Sequence, residues 1–568
     1  MRYLRVLFPV LLLLVFSFFA FRPLLIPGFF PIHDNTQVQR VFEMNKSLQD
    51  GMFPVRWVED LGFGYGYPLF NFYNPLPYYA GAAFGLLGLS ALSSTKLMMI
   101  LGILIAGFSM YLLSKEFWGE MGGVLSGLFY MYAPYHAVDI FVRGDVAEFW
   151  AYAFIPLVFY GFWKLYKDKK WRYFIVSSLS YAALITSHNL TALMASPFIF
   201  VFVIYLLVLS YGKEKKVNIK IILALVSGLL ISAFYWLPAL YEMSYTNVIS
   251  QIGGGANYRD NFVCLSQLWS SPWGYGGSVK GCNDGLSFMV GKYHLILSSL
   301  IFLFSLLVLF SNKTVKAFSE EREKFFFVVA AFISLLLSLF FTLSASSFIW
   351  NILKPMAFLQ YPWRFLVLAS FFSSFISGAL LLILKKLLKD NFAIYVLSVL
   401  SFSLIVALSI KFFVPQTVTR IHSSDFTSKH SLEWVTSNIT SEYMPKGFDK
   451  PKTEAGVSDF SKINSSDVKV LGLQRKTNRI FMTIEVFKAS RVNLPLAYFP
   501  AWQAFLDNRK ITLSQSPKGM DINLPVGIHK LYISFVQTPV EKMSDLLSFA
   551  GILILFIGII QIRKKYGK

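Results

Sequence analysis

The chain has little of what most soluble catalysts and binding modules are built from. Of its 568 residues only 2 are cysteine and 7 are histidine, and 31 acidic residues face 52 basic ones. Two cysteines exclude a disulfide framework and a cysteine-rich zinc module. No internal repeat is visible, which argues against a solenoid and against the paired halves of many secondary transporters. No Ala-x-Ala site follows the first apolar run, so MRYLRVLFPVLLLLVFSFFAF reads as an uncleaved span rather than a signal peptide. Gly62, Gly64 and Gly66 in LGFGYGYP have no strand before them and no helix-opening pattern after them. They form a turn-rich aromatic loop, not a nucleotide loop.

What the chain has is apolar length. It is 55% hydrophobic, with 58 Phe, 29 Tyr and 12 Trp. Apolar runs near 20 residues recur around 7–26, 96–114, 120–138, 148–166, 173–189, 191–211, 219–240, 291–311, 325–345, 363–386, 391–411 and 546–562, and about 20 residues span a bilayer core. The fold class is therefore an all-α polytopic membrane protein of about twelve transmembrane helices. The net charge of +21 does not point to nucleic acid, because lysine and arginine gather in short loops between spans: 164–172, Lys213 to Lys220, Lys385 to Lys389, and Arg563 to Lys568. That is the positive-inside pattern, and it suits anionic membrane lipid. All these clusters fall on one side with Arg2 and Arg5 only if the Gly-rich stretch 75–94 does not span. Both termini are then cytoplasmic in a cell-membrane protein.

Three parts follow: a multispan domain 1–411 whose outer loop 27–95 carries the candidate site; an extracytoplasmic β-rich, sandwich-like domain 412–545; and a last span with a basic tail, 546–568. The β reading rests on alternation at Ile480, Met482, Ile484 and Val486 and at Leu531, Ile533 and Phe535, with Asp507-Asn508 as a hairpin turn. Cys264 and Cys282 flank SSPWGYGG in an outer loop. A disulfide there, worth about 3 kcal/mol in loop closure, and two free thiols are both open.

Polar residues concentrate on the outer side. Loop 27–95 holds His33, Asp34, Arg40 and Arg56. RGDVAE supplies Arg143, Asp145 and Glu148. His188-Asn189 lies at a span boundary, and Arg364 follows Tyr361-Pro362-Trp363. Ionisable groups at such boundaries are functional candidates. Plainer readings exist for each. Asp34 with Gln37 matches an N-cap and capping box for a helix starting near Asn35. Asp145 and Glu148 suit a helix N-terminus. His188 reads equally as an interfacial histidine, and Arg364 as a belt anchor. Together these residues suit transfer of a sugar from a lipid phosphate: a base for the acceptor, Asp34, and cations for the leaving phosphate. Asp145 and Glu148 then position the donor, the acceptor or a divalent cation, Mg or Mn. His33, Arg40, Arg56, Arg143, His188, Asn189 and Arg364 are the substrate-binding candidates.

The order of parts resembles the GT-C superfamily of membrane glycosyltransferases. Those place an Asp just after the first span, matched by Asp34, and a second acidic motif in the next outer loop, matched by Asp145 or Glu148. HD, FPVRW, GYGYPLFNFY, RGDVAE, SHNLTAL, YPWRF, EYMP and YFPAW more closely resemble bacterial YfhO-like proteins and the related group labelled 6-pyruvoyl-tetrahydropterin synthase-related membrane domain. The resemblance implies a polyprenyl-phosphate-linked sugar as donor and an extracytoplasmic glycan, polymer, lipid or protein as acceptor. RGDVAE departs from a clean Asp-x-Asp. No pterin-synthase zinc site is expected, since the histidines form no three-histidine cluster. A transporter or flippase for a lipid-linked or anionic solute is the alternative, and a non-catalytic membrane scaffold is a further one.

Overall fold

A computed structural model describes residues 2–212, 215–251, 256–310, 316–388 and 390–566. Lys213, Lys389 and Lys568 of the basic clusters lie outside the described residues. The molecule is mostly helical. Among the described residues, 8 helices are long and apolar enough to cross a membrane, or 9 if the pair Lys216–Ile231 and Ala233–Tyr241, bent by 59°, is one span. Each apolar range read from the sequence overlaps helix, and length and continuity account for part of the difference in count. Ranges 96–114 and 120–138 share the helix Ala91–Met131, which breaks at Gly119 (φ 78, ψ 177), and range 173–189 falls on a helix of 17 residues, Trp171–Ser187. Stretch 75–94 holds a helix of only 11 residues, Leu76–Leu86, whose rise of about 16 Å falls short of the hydrocarbon thickness.

The helices run end to end, so the bundle has two unlike ends. Asp145, His188 and Arg364 lie at helix starts or junctions on one end. The basic loops lie at the other, where Lys220 Nζ donates to the Lys169 carbonyl at 3.0 Å and Lys386 pairs with Glu321 at 2.8 Å.

The β region is smaller than expected. Residues 412–467 are short helical turns and loops, and the eight strands occupy only 468–535: β1 Val468–Lys476, β2 Arg479–Val486, β3 Ser490–Leu494, β4 Trp502–Leu506, β5 Arg509–Ile511, β6 Ser514–Ser516, β7 Gly519–Leu524 and β8 Gly527–Phe535. They form sheets ordered β1-β2-β8-β4-β5 and β3-β7-β6. Ile480, Met482, Ile484 and Val486 point into the core. Asp507 and Asn508 both take positive φ (46° and 66°) and turn β4 into β5, as a type I′ hairpin requires. The last helix begins at Pro539 rather than 546, because Thr538 and Glu541 cap it reciprocally: the Glu541 N–H donates to Thr538 Oγ1 at 3.1 Å and the Thr538 N–H to Glu541 Oε2 at 2.8 Å.

Loop 27–95 is the socket for this domain. Trp57 of FPVRW is fully buried against Phe499 and Trp502 of YFPAW, with the two indole rings edge to face at 5.3 Å. The aromatic loop that follows needs its glycines: Gly62, Gly64 and Gly66 have φ of 66°, 74° and 72°, and a Cβ on Gly66 would meet Trp57 Nε1 at 2.5 Å. The Tyr65 carbonyl accepts from the Ala497 N–H at 2.9 Å, and Arg475 pairs with Glu59 at 2.7 Å. A disulfide joins Cys264 to Cys282.

Candidate active site

Asp34 is held by backbone, not by capping. The segment after the first span runs alongside RGDVAE, with the His33 N–H on the Val142 carbonyl at 3.0 Å and the Asp34 N–H on the Arg143 carbonyl at 2.8 Å. Gly144 makes this approach possible: its φ is 65°, and a Cβ there would strike Ile32 at 2.4 Å. The helix Gln37–Gln49 starts later than expected, with Thr36 as N-cap and no side-chain cap bond. Gln37 turns away and donates to the Gly144 carbonyl at 2.7 Å. The capping-box reading of Asp34 and Gln37 is therefore incorrect, and the Asp34 carboxylate is left open to a cavity of about 1090 Å³.

That cavity gathers residues from distant parts of the chain: His33, Asp34, Arg40, Arg143, Asp145, His188, Asn189 and Arg364 all line it. Two of the sequence candidates do not. Glu148 is fully buried beneath the cavity. Arg56 lies elsewhere, bonded to Asn71 at 2.9 Å, the Phe234 carbonyl at 3.1 Å and Asp545 at 2.7 Å, and fastens the last helix rather than facing substrate.

On the cavity floor, Arg143 is saturated. It bonds Asp139, Asp145 at 2.8 Å, Glu148 at 3.0 and 3.1 Å and the Tyr135 hydroxyl at 3.0 Å, and it stacks 4.7 Å from the Trp363 ring. Arg364 is held more loosely, 3.6 Å from Asp145, 3.4 Å from Glu148 and 3.4 Å from His188 Nε2. The Asp145 carboxylate also caps the next helix, accepting the Glu148 N–H at 3.1 Å. Burial pushes Asp145 up, but Arg143, His188, Arg364 and that N–H together hold it below the ordinary carboxylate range. With Arg364 donating toward His188 Nε2, the proton sits on Nδ1 and is given to Thr191 Oγ1 at 2.8 Å.

Among the described residues, the Asp34 carboxylate has no ion-pair partner. It faces open cavity, yet dense protein surrounds that cavity. Burial and the nearby Asp145 charge raise its pKa, against the opposing pull of Arg40, Arg143 and Arg364. An aspartate shifted toward neutrality and exposed to a cavity suits proton abstraction.

A divalent cation does not fit Asp145 and Glu148. Asp145 Oδ1 takes a backbone N–H and Oδ2 takes Arg143. Glu148 Oε1 takes Tyr135 at 2.5 Å and Oε2 takes Arg143. The donor atoms are already matched by protein cations and donors.

Several cavity residues escaped the sequence reading. Trp236, Glu442 and Tyr443 line it, as does Tyr73, the last residue of GYGYPLFNFY, and Asp139 sits below it against Arg143. Only EYMP, as a short acidic-aromatic motif, pointed toward Glu442 and Tyr443. Along one flank, Tyr181, Ile185, Leu193, Leu229 and Leu240 give an apolar wall, with Leu193 and Leu240 exposed at 42% and 58%.

Residues 70–253 match the family model described as a 6-pyruvoyl-tetrahydropterin synthase related domain, a membrane protein. An uncharacterized protein of Lactococcus lactis subsp. cremoris (strain MG1363) is 26% identical over 213 residues. The match spans 36% of this chain and only about a third (34%) of that relative's length. Among solved structures, the mycobacterial arabinofuranosyltransferase AftD aligns at 12% identity and TM-score 0.42, over 74% of this chain and 28% of AftD. The Archaeoglobus fulgidus oligosaccharyltransferase aligns at 12% identity and TM-score 0.42, over 78% and 58%. ArnT from Cupriavidus metallidurans, bound to undecaprenyl phosphate, aligns at 12% identity and TM-score 0.30, over 67% and 77%. At such scores these likenesses carry no functional inference.

Proposed function

We propose that this membrane protein is a glycosyltransferase that moves a sugar from a polyprenyl-phosphate donor to an acceptor hydroxyl. The observation that carries the reading is the cavity's two-sided chemistry. A polar head region, where Arg40, Arg143 and Arg364 stand among Asp34, Asp145 and Glu442, is continuous with an apolar flank of Tyr181, Ile185, Leu193, Leu229 and Leu240. That shape suits a lipid phosphate: headgroup inside, tail along Leu193 and Leu240.

In this reading Asp34 accepts the acceptor's hydroxyl proton as the oxygen attacks the anomeric carbon. The bond from that carbon to the phosphate oxygen breaks, and polyprenyl phosphate leaves with the electron pair. Its charge is received by Arg364 and by the N-terminus of the helix Asn189–Ser210, where Asn189 is the first residue. His188 orients Arg364 and is a positioning residue. Arg143, Asp145 and Glu148 hold the floor. No divalent cation enters the step, because the floor carboxylates are already matched. The site end, away from the lysine-rich loops, is the extracytoplasmic face by the positive-inside rule, and the two sheets above it read as a sandwich that presents the acceptor.

Comparing lipid-linked sugars and envelope glycans in cells with and without the protein tests this. Loss of one glycan modification with accumulation of its lipid-linked donor is expected. Unchanged glycans, together with loss of lipid-phosphate translocation in vesicles, would favour a flippase.

A further inference from the structure

Arg40 is the outlier among the buried arginines. Arg56, Arg143 and Arg364 each face a carboxylate within ion-pair distance. Arg40 is just as buried, 4% exposed, and makes no ion pair among the described residues. The neutral Tyr78 hydroxyl is within hydrogen-bond reach of its guanidinium, but Nε and Nη1 have no hydrogen-bond partner in the protein. Asp34 and Glu442 are close enough for each to feel its charge, but neither reaches it. Arg40 lines the cavity and lies over the Tyr73 ring, 3.9 Å from its centroid. A ring face compensates a guanidinium only in part, and leaving a buried charge unpaired is costly. The guanidinium therefore brings to the cavity wall a charge that no carboxylate among the described residues cancels by contact, and its planar donors match the oxygens of a carboxylate or phosphate.

The surroundings say what carries that anion. Tyr73 and Tyr443 both line the cavity here, with rings 6.5 Å apart and edge to face. Aromatic faces beside polar groups suit the apolar face of a pyranose. Arg40 lies on the helix Gln37–Gln49 that follows Asp34, and both residues line the cavity, so this wall adjoins the base.

We propose that Arg40, Tyr73 and Tyr443 form a subsite for a saccharide unit bearing a negative group, a carboxylate or a phosphate, separate from the Arg364 station for the lipid phosphate. This deepens the glycosyltransferase reading and rests on it for the second station. It implies that one of the two sugars brought together at Asp34 is acidic.

The test is equilibrium binding to the full chain in nanodiscs, with three soluble probes (glucose, glucuronate and glucose 6-phosphate) and undecaprenyl phosphate as a fourth. Wild type should bind glucuronate or glucose 6-phosphate at least tenfold more tightly than glucose, about the worth of one charge-assisted hydrogen bond; which of the two wins identifies the anion as carboxylate or phosphate. Arg40→Gln should abolish that preference and leave undecaprenyl phosphate binding within about twofold, as expected of a separate station. Arg40→Lys keeps the charge without the fork and should restore the preference only partly. It also serves if Arg40→Gln does not fold. Equal binding of all three soluble probes by wild type overturns the proposal. So does loss of undecaprenyl phosphate binding in a folded Arg40 variant, which would make Arg40 part of the lipid-phosphate station. Failure of wild type to bind undecaprenyl phosphate at all sinks the donor assignment instead, and the saccharide preference still decides the subsite.

Discussion

Replacing Asp34 by Asn removes a base and almost nothing else. The backbone contacts that fix this segment, to the Val142 and Arg143 carbonyls, do not involve the Asp34 side chain, and the helix cap belongs to Thr36. The carboxylate has no ion-pair partner among the described residues to lose. Its folded pKa lies above the ordinary value, chiefly through burial and the Asp145 charge. The ionised form is therefore less favourable in the folded protein than in the unfolded chain, and Asp34 weakens stability as pH rises past its unfolded value. Asn abolishes that penalty, so the melting temperature should hold or rise. Transfer should fall by about two to four orders of magnitude, the range for loss of a general base, which is about 3–5 kcal/mol of transition-state stabilisation. The assay is release of polyprenyl phosphate from a polyprenyl-phosphate-linked sugar in membranes that retain native acceptors, with melting followed in detergent. In wild type the acid limb of the rate profile should lie above the usual aspartate range, because activity requires the deprotonated form. A folded Asp34→Asn protein with near-normal transfer would refute the assignment.

Arg364→Lys keeps the charge but loses the planar donors, and should weaken undecaprenyl phosphate binding by about ten- to a hundredfold, the worth of one charge-assisted hydrogen bond; an unchanged Kd returns Arg364 to a belt anchor. Arg143→Ala leaves Asp139, Asp145 and Glu148 without their shared cation and should cost about 3–5 kcal/mol, read as a large drop in melting temperature or failure to accumulate in the membrane. Chelation with EDTA should leave transfer unchanged, since protein donors occupy Asp145 and Glu148; activity that disappears and returns with Mg or Mn would put a cation back in the site. Lys169→Cys should resist a membrane-impermeant thiol reagent in intact cells, while a cysteine at Lys452 should react; labelling at 169 would invert the topology.

The helices were legible because apolar length is a local property, and so was the β2 alternation. The span count was less so. The chain is helical on both sides of Gly119, from Ala91 to Met131, and nothing local announces whether such a break turns the chain back. The site was legible as a set but not as an arrangement. Outer loops and span boundaries collect the candidates on one face, and only the fold shows that His33 and Asp34 share one cavity with His188 and Arg364. Glu148 and Arg56 were misplaced for different reasons. Glu148 lies one helical turn inside from Asp145, which takes it below the floor. Arg56 is drawn off by Asn71 and Asp545, the latter hundreds of residues away, a pairing that no local pattern encodes. Trp57 shows the same limit, since its partner Trp502 lies in the β region.

The acidic motif after the second boundary has a different meaning in three dimensions from the one its spacing suggests. Two carboxylates three residues apart at a helix start look like a cation site. Here they face two arginines, and a third carboxylate, Asp139, joins from the turn before. Three acids against two arginines leave the floor close to charge balance, so the floor itself cannot be what draws an anion into the cavity. Its role is geometric: Arg143 is locked, and Arg364 is held at the edge by longer contacts that a phosphate can replace. The added attraction for the lipid phosphate comes from outside that balanced group, from the helix N-terminus at Asn189, while Arg40, whose charge no carboxylate among the described residues cancels by contact, serves the second, separate anion. Both lie on the cavity wall with Asp34 open beside them. The motif therefore builds a rigid floor, and the chemistry is carried by residues the motif leaves unpaired.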